Sequence, residues 1–170
     1  MDNLKIIYGL FDAALMPQVW FNLDSWKLKY TSLYQGDYQQ IAEAIPYLIE
    51  LNEEQDRQAT LSLLTQEDYK FGLLLESSDS LSALIPRLAY FYHVRNEQNE
   101  PYLRRFFDLR FFKRFVQSLS EQMLQFLVGV DTCFYYLDET LSFYHKISLL
   151  DNKLKFEQVE LNYFRKEKKQ

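Results

Sequence analysis

Residues 101–115 constrain the fold more than any other stretch of this chain. They hold six aromatic and five basic side chains in fifteen positions, with a single acid, Asp108, between them. The apolar period changes at that acid. Before it, Leu103, Arg105 and Phe107 fall on one side of an extended chain and Arg104 and Phe106 on the other. After it, Leu109, Phe112, Val116 and Leu119 recur at helical spacing. The stretch therefore predicts a strand feeding a helix, with Asp108 as the N-cap whose carboxylate accepts from the first free backbone N–H groups.

The rest of the sequence supplies the globule that holds this junction. Hydrophobic residues make up 48% and aromatics 17% of 170 residues, enough for one packed domain and against disorder. With 13 tyrosines and 14 phenylalanines, ring-on-ring packing is expected in the core and some tyrosine at a recognition surface. The net charge of −5 speaks against a general nucleic-acid binder, because the basic cluster is local. The single cysteine, Cys133, has no intramolecular partner and fits a reducing compartment. Met1-Asp2-Asn3 opens no secretory n-region, and no apolar run approaches membrane-spanning length. The expected location is cytoplasmic, with no stable membrane insertion.

In chain order, residues 4–11 form an apolar run that reads as a buried strand, ended by Asp12, and residues 12–16 read as the cap and first turn of a helix that tolerates Pro17 and runs through Trp20 and Phe21. Strands are predicted over 27–33, 47–51 and 71–75, with short helices over 38–44 and 59–64. Residues 52–56 read as a solvated loop or helix start, since no cation-ligand spacing recurs. Ser77-Ser78-Asp79 caps a helix running to about Val94, which Pro86 should kink or divide. A helix over 121–127 ends at Gly129, and 132–137 with 141–148 reads as a hairpin around Asp138-Glu139. The pattern after Asp151 predicts a last helix, with a strand through Leu154 and Phe156 as the alternative for its first part, and a basic tail over 165–170.

Strands alternating with helices predict a single α/β domain with a mainly parallel sheet and an antiparallel hairpin near the C-terminus. Residues 1–150 form its body and 151–170 a C-terminal helix and tail. On parallel strands, Asp12, Ser77 and Asp108 would share the carboxyl edge, where crevices form. Capping alone explains each of them and is the favoured reading. No phosphate loop, nucleophile elbow, metal set or cofactor motif is present: the glycines stand isolated, and His93 and His145 sit on aromatic stretches without partners at motif spacing. Neither an enzymatic role nor a cofactor is expected, although an enzyme using the Asp12, Ser77 and Asp108 edge remains the alternative.

Several segments resemble one family. Tyr8-Gly9-Leu10-Phe11-Asp12-Ala13-Ala14 resembles its opening strand and turn, and Ser32-Leu33-Tyr34-Gln35-Gly36 its "S-L-aromatic-x-G" segment. Ala44-Ile45-Pro46-Tyr47-Leu48-Ile49-Glu50-Leu51, Gly72-Leu73-Leu74-Leu75-Glu76-Ser77 and Arg105-Phe106-Phe107-Asp108-Leu109-Arg110 follow in the same order. The last is similar to an "R-F-Y-D-P-R" signature, with Leu109 where proline is usual. The family is domain of unknown function 4123, the Tap/VasW-like adaptors of bacterial type VI secretion. The resemblance implies a non-catalytic cytoplasmic chaperone that binds a cognate secreted effector and helps load it onto the spike (VgrG-like) protein. Larger relatives carry a further C-terminal lobe, so part of the effector surface is expected to differ here. Arg105, Asp108 and Arg110 are the expected organising cluster, with Asp108 capping its helix and also able to pair with one arginine. Arg110, Lys113 and Arg114 are expected to point away from the apolar helix face toward a partner, and Tyr34 and Tyr47 complete the partner-binding candidates.

Overall fold

The computed structural model describes residues 4–164. The 165–170 tail and Met1-Asp2-Asn3 lie outside the described residues. Strand β1 (Ile6–Asp12) leads through α1 (Pro17–Asn22) to β2 (Tyr30–Ser32), and β3 (Pro46–Glu50) through α2 (Arg57–Thr65) to β4 (Leu73–Ser77). Helix α3 (Leu81–Tyr92) precedes a small hairpin of β5 (His93–Arg95) and β6 (Pro101–Leu103). Helices α4 (Phe112–Gln117) and α5 (Glu121–Leu127) lead into β7 (Thr132–Leu137), β8 (Phe143–Leu150) and β9 (Lys153–Glu160), and a 3-10 turn, Leu161–Phe164, closes the described chain.

The main sheet has seven strands in the order β2-β3-β1-β4-β7-β8-β9. Every neighbouring pair is antiparallel, which overturns the mainly parallel sheet expected from the alternation. The alternation itself is there. Both β2 and β1 run opposite to β3, so the strands joined by α1 point the same way; both β3 and β4 run opposite to β1, so those joined by α2 do too. Each helix carries the chain past one strand slot, and an antiparallel strand fills the gap. Periodicity reports element type but not which strands become neighbours.

Strand alternation divides the apolar residues between two cores. On one face Tyr8, Leu10, Leu75, Phe134 and Ile147 pack with Leu84, Leu88, Phe112 and Leu127 of α3, α4 and α5. On the other, Phe11, Ile49, Leu74 and Tyr135 pack with Val19 of α1 and Leu63 of α2. The sheet is thus covered on both sides, which is why β1, β3 and β4 read as continuous apolar runs.

Local signals account for several boundaries. Asp56 accepts Ala59 N–H at 3.0 Å and Lys27 N–H at 3.0 Å, so the acidic 52–56 stretch does start a helix. Ser80 caps α3 by accepting Ala83 N–H at 3.3 Å, three residues beyond the expected Ser77, and α3 runs through Pro86 undivided. Gly129 takes φ +60 after α5, as its cap position suggested. The expected final helix is instead β9, continuous with the β7–β8 hairpin and paired along its whole length with β8. Its alternation of Leu154, Phe156 and Gln158 with Lys155, Glu157 and Val159 fits a sheet edge better than a helix face. Among the described residues, no helix is long and apolar enough to cross a membrane.

Candidate functional site

The strand expected over 103–107 is absent from the main sheet. Only 101–103 is extended, and it pairs with β5. Phe106 and Phe107 are consecutive yet both buried in the same core, which a pleated strand forbids because successive side chains point to opposite faces. The backbone turns instead: Phe106 N–H donates to Arg104 O (2.9 Å) and Asp108 N–H to Arg105 O (3.1 Å). Arg104 is held inward, its Nε donating to Phe91 O at 3.1 Å and its guanidinium 5.0 Å from the Phe115 ring centre.

This irregular segment carries Arg105 to the end of β1. Its guanidinium pairs with the Asp12 carboxylate, and Nη2 donates to Ala44 O at 3.0 Å. Asp12 is 7% exposed, and its other oxygen accepts Ala14 N–H at 3.1 Å. One side chain therefore fastens the β1 end, the 3-10 turn Ala42–Ala44 and the 104–111 segment together. Beside the pair, the Tyr92 hydroxyl is buried with no hydrogen-bond partner, and burial pushes its pKa up to about 12.

Asp108 does not cap α4 with its side chain; Phe111 holds the N-cap position. Its carbonyl accepts Phe111 and Phe112 N–H, each at 2.9 Å, which starts the turn into the helix. The carboxylate is committed to Arg110: Oδ1 accepts its N–H at 3.0 Å and Nε at 3.1 Å, and Oδ2 accepts Nη2 at 2.7 Å. That two-pronged pairing holds Asp108 below the usual carboxylate range. An aspartate turn followed by a free helix start replaces the expected cap because Leu109 and Arg110 still belong to the turn.

Asp12, Arg105 and Asp108 line one shallow depression with Leu10, Leu15, Phe71 and Phe107. It holds about 20 Å³, room for a single water rather than a substrate. A larger cavity of about 170 Å³ lies on the other face among Leu63, Leu74, Leu137, Tyr144 and Leu161, still below the size usual for small-molecule sites. Among the described residues, no group of three or more His, Cys, Asp or Glu could hold a metal ion.

Ser77 is not part of this arrangement. In the antiparallel register Ser77 stands opposite Ile6, at the far end of β1 from Asp12, so the shared edge expected for Asp12, Ser77 and Asp108 does not exist. Its buried hydroxyl lies 2.8 Å from Thr132 Oγ1 and accepts Asp79 N–H at 3.1 Å. Arg87 closes that end, paired with Asp79 and donating to Phe126 O at 3.0 Å. Of the tyrosines proposed for partner contact, Tyr47 is 1% exposed and donates its hydroxyl to Ala42 O at 2.5 Å; it is a core ring. Tyr34 is half-buried, its ring 5.2 Å from that of His93.

The basic candidates Arg110, Lys113 and Arg114 do point outward, as expected. Arg110 is 76% exposed, with its guanidinium 5.2 Å from the Phe111 ring centre. Lys113 and Arg114 are exposed, Lys113 with its Nζ 5.1 Å from the Phe156 ring centre. Leu15, Phe71 and Phe111 expose about half their surface. Sequence reasoning missed Leu15 and Phe71 as surface groups, because an apolar residue beside a strand carries no mark of which way it turns.

Fold and junction define a class: an antiparallel α/β domain with helices on both faces, latched at one end by the Asp12–Arg105 pair. The sequence matches the family model described as domain of unknown function (DUF4123) over residues 7–125, and the chain belongs to that family. No curated protein and no solved structure matches. The five resembling segments all lie inside the match and form β1, the end of β2, β3, β4 and the latch itself. Two of them meet directly, since Asp12 comes from the first and Arg105 from the last.

Proposed function

We propose that this protein is a non-catalytic adaptor that holds a secreted effector and presents it to the spike protein of a type VI secretion apparatus in the cytoplasm. Family membership supports this reading together with the resemblance of its motifs to the Tap/VasW-like adaptors. The observation that carries it is the outer face of the latch, where exposed Arg110 and Arg114 stand beside exposed Phe111. Apolar groups ringed by arginine suit a polypeptide surface: the rings exclude water and the guanidinium groups fix orientation. Asp108 pre-orders Arg110 through its two-pronged pair, so less side-chain freedom is lost on contact.

The test is co-purification with the effector candidate encoded beside it, using wild type and an Arg110→Ala/Arg114→Ala double variant. Capture should fall at least tenfold while the thermal melt stays near wild type. Undiminished capture by the folded double variant removes this face from the proposal.

A further inference from the structure

Strand β9 is the last strand of the sheet, and no described strand lies on its outer side. It runs eight residues, Lys153–Glu160, in unbroken register with β8, with no proline and no bulge to blunt it. Such an edge exposes backbone donors and acceptors ready to pair with another strand. Its outward side chains decide which strand fits.

Take β9 against a second β9, antiparallel, with Phe156 opposite Phe156. Lys155 then faces Glu157 of the other copy, and Glu157 faces its Lys155, giving two opposite-charge pairs on one face of the sheet. Phe156, 42% exposed and with Lys113 Nζ 5.1 Å from its ring centre, meets its own counterpart on the other face. A shift of two residues in either direction puts Lys155 against Lys155 or Glu157 against Glu157. The shift that sets Lys155 against Lys155 also sets Lys153 against Glu157, so the Phe156-centred register alone pairs opposite charges with no like-charge pair while keeping each sheet's faces aligned. Within one chain Glu157 already lies 3.4 Å from Lys155 and 3.8 Å from Lys146, so the second copy's lysine would join an existing cluster of opposite charge.

We infer that β9 is a self-association edge, pairing two copies of this chain antiparallel about Phe156 into one continuous sheet. The edge lies outside the family match and at the opposite end of the strand order from β2. It does not depend on the adaptor reading. A single paired strand buries little area, so the dimer is weak and concentration-dependent.

Sedimentation velocity over a concentration series tests it, with wild type, Lys155→Glu, Glu157→Lys, and the double charge swap. Wild type should shift from monomer to dimer as concentration rises. Each single variant should lose at least tenfold in association, the double swap should recover it, and an equimolar mixture of the two single variants should form a mixed dimer by native mass spectrometry. Wild type that stays monomeric throughout overturns the inference. So does a dimer unchanged by either single variant, or a double swap that fails to recover while its circular dichroism matches wild type.

Discussion

Gly72 offers a sharp test of the packing, because a single methyl group there must displace a buried ring. A Cβ at Gly72 would stand 2.3 Å from Phe11 Cε1, and one at Gly9 would stand 2.2 Å from Cε2 of the same ring. Phe11 thus lies across the two glycines, fully buried, with Tyr69 against it at 6.1 Å in an edge-to-face contact. Carbon atoms settle at about 3.5–4.0 Å, so Gly72→Ala demands a shift of more than about 1 Å from a ring that Gly9 and Tyr69 hold in place. Overpacking of this kind costs about 1–3 kcal/mol; taking about 2 kcal/mol, a domain of this size should melt about 4–8 °C lower. Thermal and urea unfolding followed by far-UV circular dichroism measure it. Phe11→Leu provides the control. Alone it leaves a gap and costs about 1 kcal/mol, but it removes the ring edge the new methyl group strikes, so the double variant should be no less stable than Phe11→Leu. A Gly72→Ala variant within about 0.5 kcal/mol of wild type, or two costs that simply add, would refute this packing of Phe11 across the glycines.

Two further predictions concern the latch and the loop beside it. Arg105→Met should destabilise by about 1–3 kcal/mol, less than a fully buried pair because the Arg105 side chain is 41% exposed; adding Asp12→Asn should recover part of the loss, and a double-mutant cycle in urea with no coupling would count against the latch. His93 accepts Gln35 N–H at Nε2 (2.9 Å), and burial lowers its pKa from the ordinary 6.5. The unfolded chain therefore binds this proton first, and the stability that neutral His93 contributes is present above about pH 6.5 and lost as pH falls through its lowered folded value. Urea midpoints of wild type and His93→Gln between about pH 5 and 7.5 should converge toward the acid end; a constant gap would show that His93 does not supply the slope.

Local chemistry was legible in advance wherever it was self-contained. Gly129 ending α5 and the β7–β8 hairpin around Asp138 each depend on a few neighbouring residues. The segment at 104–111 was not. Its alternation mimicked a strand, but a strand would send Phe106 and Phe107 to opposite faces, and the core under α3 takes both. At the C-terminus the strand alternative was the correct one, because β8 offered a free edge along its full length.

By itself, the sequence determined which residues are apolar, where the period changes and which motifs tie the chain to its family. Those properties reside in side chains and their immediate spacing. Strand direction is different: βα alternation is satisfied equally by adjacent parallel strands and by strands parted by one antiparallel neighbour, and only packing chooses between them. The same choice sends Ser77 to the far end of the sheet and brings Arg105 to Asp12 across 93 residues. Residues 101–115 announce a junction, but what they join is decided where β1 ends.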